Sequence, residues 1–207
     1  MNVVIPSILA KTKEEFEVLV RKLEPHVERV HLDIIDGEFA ENKTIEGYAE
    51  LRDITTKLAF DVHLMVKKPD MEPWYTTKAD RFIIHAESEC DHLGLFTEME
   101  QKEKRRAIAF NPETELEKFG SLIPHTDFVQ FMTVNPGFYG SPFLPEMIDK
   151  IGEFHGKHPQ VTIAVDGGIT PETAAKVSSA GASILVCGSY IIQSSNISEA
   201  IATLQAL

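Results

Sequence analysis

Eight short runs of β-branched and apolar residues punctuate this chain at intervals of about two dozen residues, with stretches long enough for helices between them. The runs are Val3–Leu9, Arg29–Ile35, Leu58–Val66, Arg81–His85, Ala107–Phe110, Phe128–Val134, Val161–Val165 and Ser183–Cys187. Thr12–Leu23 shows the helical partner of such a run. Phe16, Val18, Leu19 and Leu23 fall near one helical face, while Lys13, Glu14, Glu17, Arg21 and Lys22 cover the other. Pro171 suits the start of a helix over Glu172–Ser179, and Asn196 suits the cap of a last helix over Ile197–Leu207. Strand signals that alternate with helix signals predict parallel βαβ units. Eight units in 207 residues predict a closed (β/α)8 TIM barrel, one domain over residues 1–207, rather than an open doubly wound sheet. No GxGxxG follows the first run and no GxxxxGK[ST] occurs, so a nucleotide-binding open sheet lacks support.

Composition narrows the class further. A chain with 43% hydrophobic and 25% charged residues can bury a substantial core. The net charge of −12 disfavours nucleic acid and anionic membrane surfaces as partners, which are held by clustered positive charge, so an anionic ligand must be met by local donors. No segment has the apolar length of a membrane span, and the opening MNVVIPSILAKTKEEF has neither the basic leader nor the apolar run of a signal peptide, so the expectation is a cytoplasmic protein. Cys90 and Cys187 are the only cysteines, which implies neither a disulfide framework nor a thiolate zinc site.

In a barrel of this kind, reactive groups gather at the C-terminal ends of the strands. His31 and Asp33 are two apart in the second run and project to the same side; His63 sits in the otherwise apolar DVHLMV, and Asp166 closes the seventh run in AVDGG. Each alone has a bland reading, because a single strand histidine is more often a hydrogen-bonded structural residue. Together they differ: buried carboxylates are costly without a compensating charge, and two imidazoles with two carboxylates suit a divalent zinc, iron(II), manganese or cobalt ion. Asp36 and Glu38 read as a polar loop, His85 as a structural or supporting residue, and Met65 and Met132 near the barrel mouth as ordinary core filler or an apolar lining. Three glycine-bearing segments, Asn135–Gly140, Asp166–Gly168 and Cys187–Ser189, follow the sixth, seventh and eighth runs. They read as tight turns or, since barrels commonly bind phosphate after strands seven and eight, as backbone N–H cradles.

At this point the chain resembles the ribulose-phosphate 3-epimerase family through nearly its whole length. The resemblance lies in Ile5-Pro6-Ser7-Ile8-Leu9, in Val30-His31-Leu32-Asp33-Ile34-Ile35-Asp36-Gly37-Glu38-Phe39, and in Asp61-Val62-His63-Leu64-Met65-Val66. It continues in Met132-Thr133-Val134-Asn135-Pro136-Gly137-Phe138 and Val165-Asp166-Gly167-Gly168. It implies one divalent metal ion held by His31, Asp33, His63 and Asp166, with Asp33 and Asp166 doubling as acid and base. It also implies substrate contacts from Ser7, His63, Met65 and Met132, with phosphate held by Gly137, Phe138, Tyr139, Gly140, Ser141, Gly167, Gly168, Gly188 and Ser189. Homo-oligomers are common in the family. Four departures bear on substrate choice: Ile35 stands where the family usually has a methionine, PGFYGS replaces PGFGGQ, Ile8-Leu9-Ala10-Lys11 replaces the usual continuation after Ser7, and Glu38 and Glu41 replace a His and a Pro.

The implied reaction is inversion at carbon 3 of a small ketose phosphate, most simply D-ribulose 5-phosphate to D-xylulose 5-phosphate, through an enediolate. The alternatives are the same chemistry on a hexulose phosphate such as allulose 6-phosphate, and a noncatalytic sugar-phosphate sensor. Related decarboxylating and condensing barrels carry Asp-x-Lys-x-x-Asp on the third strand, where this chain has Asp61-Val62-His63-Leu64-Met65-Val66.

Overall fold

The computed structural model describes all residues from Met1 to Leu207. The strands are β1 (Val3–Ile8), β2 (Arg29–Ile35), β3 (Ala59–Met65), β4 (Arg81–His85), β5 (Arg105–Phe110), β6 (Phe128–Met132), β7 (Ile163–Asp166) and β8 (Ile184–Cys187). Each pairs in parallel with its sequence neighbour, and β8 pairs with β1, so the sheet closes into the expected TIM barrel. Boundaries shift by a few residues. β6 stops at Met132 because the Thr133 N–H donates to the Asp166 carbonyl while its own carbonyl accepts from Leu144 N–H, which bends the chain away.

The helices are α1 (Lys13–Leu23), α2 (Tyr48–Asp53), α3 (Glu72–Tyr75), α4 (His92–Gln101), α5 (Met147–Lys157), α6 (Pro171–Ser179), α7 (Ser189–Ile192) and α8 (Ile197–Gln205). Side-chain oxygens of Thr12, Thr170 and Asn196 accept from the N–H groups three residues on, and so cap α1, α6 and α8. On α1 the buried positions are Phe16, Val20 and Leu23, spaced four and three apart; Val18, expected on that face, is 66% exposed. The outer layer is also less regular than alternating periodicity predicts. Between β5 and β6 there are only the 3-10 turns Leu116–Phe119 and Ile123–His125, in a segment interrupted by Pro112, Gly120 and Pro124. No helix is long and apolar enough to cross a membrane.

Strand alternation divides the apolar residues into two layers. One set, including Leu32, Phe60, Val62, Phe82, Phe131 and Leu185, packs outward with helix residues such as Phe16, Phe96 and Phe154. The other, Ile5, Ile83, Ala107, Ala109, Phe128, Ala164 and Ile184, plugs the barrel interior. Polar side chains lie along the same inward positions on both sides of this plug. Toward the strand N-termini, buried Asp61 accepts from Arg29 at 2.6 Å and lies 3.3 Å from Arg81, and Arg29 also pairs with Asp80. Toward the strand C-termini lie Ser7, His31, Asp33, His63, His85, Gln130 and Asp166, all buried.

Candidate metal centre and ligand cleft

Two backbone periodicities bring the four expected metal-site residues together. The two-residue repeat puts His31 and Asp33 on the inner face of β2, and parallel register sets Asp33 beside His63 on β3. Asp166 reaches the same place from the end of β7. Asp33 Oδ1 lies 2.9 Å from His63 Nδ1 and 3.4 Å from His31 Nε2. Asp166 Oδ2 lies 3.4 Å from each of these nitrogens. One donor atom from each of the four residues falls within 4.8 Å of all the others, and all four residues are buried.

The charge balance tests whether this set fits a cation. Burial alone disfavours a charged imidazole, but Asp166 and Asp33 hold the His31 pKa up to about 10. His63 is raised against its own burial by the same two carboxylates. Burial would push the Asp166 carboxyl up, yet His31 and His63 beside it hold it well below the usual carboxylate range. The pocket thus demands positive charge, which protons on the histidines supply when nothing else does. His31 Nε2 makes no hydrogen bond although it is fully buried and faces both carboxylates. A buried nitrogen without a partner, aimed with a second nitrogen and two oxygens at a common centre, fits a divalent ion.

Above the four residues lies a cleft. Asp33, Asp166, Met65 and Met132 line it, together with Ser7, Leu9 and the loops holding Gly137–Ser141, Gly167–Gly168 and Gly188–Ser189. The expected substrate-side residues therefore share one wall, with one exception. His63, expected to contact substrate as well as the ion, is fully buried behind Asp33, whose Oδ1 lies 2.9 Å from its Nδ1. At Gly167, with φ at +109°, a Cβ would collide with the Val134 side chain, so the seventh loop passes this close only as glycine.

Tyr139 takes a place that sequence could not assign. Its hydroxyl donates to the Ser7 carbonyl at 2.9 Å and accepts from Leu9 N–H at 2.8 Å, strapping the loop after β6 onto the end of β1. Its ring lies so close to Gly188 that a Cβ there would strike the ring. Asn42, which the sequence reading passed over, ties the same loop down by donating to the Gly137 carbonyl at 2.7 Å. Gln130 was also missed. It is fully buried on β6 and donates to Asp166 Oδ2 at 3.2 Å; its signal was a polar residue two before Met132 in an apolar run. Asp36 is more than a loop residue, since its carboxylate accepts from the N–H groups of Glu38, Phe39 and Lys67 and so joins the β2 loop to the end of β3.

Residues 3–192 match the model of the family described as the ribulose-phosphate 3 epimerase family. The chain belongs to that family. It is similar to the ribulose-phosphate 3-epimerase of Eremothecium gossypii, at 31% identity over 204 residues, which is 91% of this chain and 85% of that protein. It is 35% identical over 186 residues to the ribulose-phosphate 3-epimerase of Bacillus subtilis, covering 85% of each chain. It is also 35% identical over 184 residues to the cytoplasmic isoform from Oryza sativa subsp. japonica, covering 85% of this chain and 80% of that one. Among solved structures, 3-hexulose-6-phosphate synthase from Salmonella typhimurium superposes with a TM-score of 0.69 at 15% identity, over 100% of this chain and 97% of that one. At that identity the likeness speaks for the barrel alone. Membership of the epimerase family places the buried histidine–aspartate cluster and the cleft above it in an isomerase of sugar-phosphate metabolism.

Proposed function

We propose that this enzyme inverts carbon 3 of a ketose phosphate, interconverting D-ribulose 5-phosphate and D-xylulose 5-phosphate, with Asp33 and Asp166 as the acid and base. The observation that carries the reading is the pair of carboxylates brought from β2 and β7 onto the floor of one cleft, beside His31 and His63. His31, Asp33, His63 and Asp166 would hold a divalent ion, whose chemistry is to stabilise negative charge developing on the substrate's oxygens.

One aspartate takes the carbon 3 proton, and the other delivers a proton to the opposite face of the planar enediolate, which inverts the centre. Which acts first depends on the direction of reaction. Met65 and Met132 give the cleft an apolar lining that keeps water from the reacting carbon. Ser7 orients the sugar, and the backbone N–H groups of Gly167–Gly168 and Gly188–Ser189 receive the phosphate in a chain whose overall charge is negative. Tyr139 rests against Gly188, so its ring must turn aside for a phosphate to settle there.

The test is solvent deuterium incorporation at carbon 3 of ribulose 5-phosphate, followed by NMR, with protein reconstituted separately with zinc, iron(II), manganese and cobalt. Metal-dependent exchange with appearance of xylulose 5-phosphate is expected. Exchange on allulose 6-phosphate with a higher specificity constant would move the assignment to the hexulose phosphate. Ligand-induced stabilisation with no exchange on either sugar would replace catalysis by sensing.

A further inference from the structure

Behind the metal centre, a line of hydrogen bonds runs from His63 outward through two residues that the proposed mechanism does not use. His63 Nε2 lies 2.9 Å from His85 Nε2, and His85 Nδ1 lies 3.0 Å from Glu87 Oε2. Both histidines are fully buried, so water cannot exchange for the contact between them. Their planes are 21° apart and their ring centres 5.0 Å apart, close to the largest separation that a 2.9 Å nitrogen contact allows. The rings therefore meet edge to edge in nearly one plane, the geometry of an N–H pointing along a lone pair.

We propose that Glu87 and His85 are positioning residues that fix the tautomer of His63, so that His63 turns a bare Nδ1 toward the carboxylate pair and the divalent ion held there. This rests on the metal-site reading above.

The direction of every bond follows from the far end. Glu87 Oε1 accepts from the Asn111 N–H at 3.1 Å and from the Thr114 hydroxyl, so that side of the group must be an acceptor. Burial pushes the Glu87 carboxyl up, but the hydrogen bonds around it hold it below the usual carboxylate range, so Oε2 is the other oxygen of a carboxylate and His85 donates to it from Nδ1. A neutral His85 has one N–H, which leaves Nε2 as a lone pair. The partner of that lone pair, His63 Nε2, must carry the hydrogen; Gln130 Nε2, 3.4 Å from the same nitrogen, donates instead to Asp166 Oδ2 at 3.2 Å, and once an ion replaces the second imidazole proton, His63 has its lone pair at Nδ1. That is the nitrogen 2.9 Å from Asp33 and 3.4 Å from Asp166. The Phe39 ring, centred 4.5 Å from that of His85, and His92 Nε2, 2.9 Å from the His85 carbonyl, hold the intermediate residue in place.

Proton-coupled 15N NMR of the imidazoles in zinc-loaded protein tests the relay directly and needs no variant. The expected pattern is Nε2–H with bare Nδ1 on His63, and Nδ1–H with bare Nε2 on His85; the reverse on either ring overturns the proposal. Glu87→Gln supplies a second arm. A glutamine keeps one of the two acceptor faces at most: its NH2 meets either the Asn111 N–H or the His85 Nδ1–H. Zinc affinity measured by competition with a chelator is expected to fall about 10–100-fold, the range for losing an outer partner of a metal-bound histidine, with the His63 and His85 tautomer signals displaced. Unchanged affinity and unchanged tautomers in folded Glu87→Gln protein overturn it. If the wild-type protein binds no zinc, iron(II), manganese or cobalt, the metal-site reading fails by itself, and the His85 pattern in metal-free protein still decides whether Glu87 sets the tautomer.

Discussion

Replacing Tyr139 by Phe removes a single oxygen from the strap across the cleft. That oxygen makes two hydrogen bonds, to the Ser7 carbonyl and from the Leu9 N–H, while the ring rests on Gly188. Burial pushes the phenol pKa up, so the hydroxyl remains a donor throughout the pH range of any assay. A neutral hydrogen bond contributes about 0.5–1.5 kcal/mol net, and two make the seated ring more stable by about 1–3 kcal/mol. The Leu9 contact lies at the exposed rim, where water replaces the lost partner, which favours the low end of that range. Substrate must displace the ring before its phosphate reaches the loop after β8, so the variant should bind more tightly by roughly fivefold, with about tenfold for each 1.4 kcal/mol. The assay is the KM for ribulose 5-phosphate, with competitive inhibition by inorganic phosphate as a readout independent of the sugar. Both constants should fall together while kcat stays within about twofold, because the hydroxyl touches nothing at the reacting carbon. A rise in KM would show that the hydroxyl holds substrate rather than competing with it. No change in either constant would show that the ring can stay where it is, and the reasoning would fail.

Asp33→Asn should leave the far-UV circular dichroism spectrum intact and lower kcat by at least about 1,000-fold, since it removes a proton-transfer group and a charged ligand together; near-normal turnover would sink the assignment. Metal affinity should rise with pH: His31, held up to about 10 by Asp166 and Asp33 against its own burial, must lose its proton to become a ligand. Calorimetry in buffers of different ionisation enthalpy would report the released protons, and buffer-independent heats would refute this. The same raised pKa stabilises the metal-free fold fully below about pH 6.5 and is lost as pH climbs through about 10, so the metal-free melting temperature should fall over that interval. Gly167→Ala should cost about 2–4 kcal/mol through the +109° backbone and the clash with Val134, lowering Tm by roughly 4–16 °C in calorimetry. Asp61→Ala, which strips two arginines of a buried partner at the opposite end of the barrel, should destabilise by about 3–5 kcal/mol in urea yet leave kcat unchanged.

Much of the site could be read from spacing. His31 and Asp33 were assignable to one face because strand side chains alternate strictly, and the Gly-bearing loops after β6, β7 and β8 were found from their place after apolar runs. Gln130 and Asn42 escaped because a single polar residue, even one set in an apolar run as Gln130 is, does not say which group it meets: Gln130 meets Asp166 from 36 positions away and Asn42 meets Gly137 from 95. The missing helix between β5 and β6 escaped for the opposite reason. Alternation describes an average unit, and local interruption by Pro112, Gly120 and Pro124 overrides it.

By itself, then, the sequence determined the barrel and the four residues that gather into one buried cluster able to meet a cation, because periodicity and buried charge are properties of short segments. Tertiary structure alone decided that His63 is buried behind Asp33, that Tyr139 straps one loop to β1, and that Glu87 stands behind His63 through His85. The Tyr139 strap depends on closing the sheet, which brings the loop after β6 round to β1, and the Glu87 line depends on the pairing of β3 with β4; both set into contact groups that no repeat along the chain could pair.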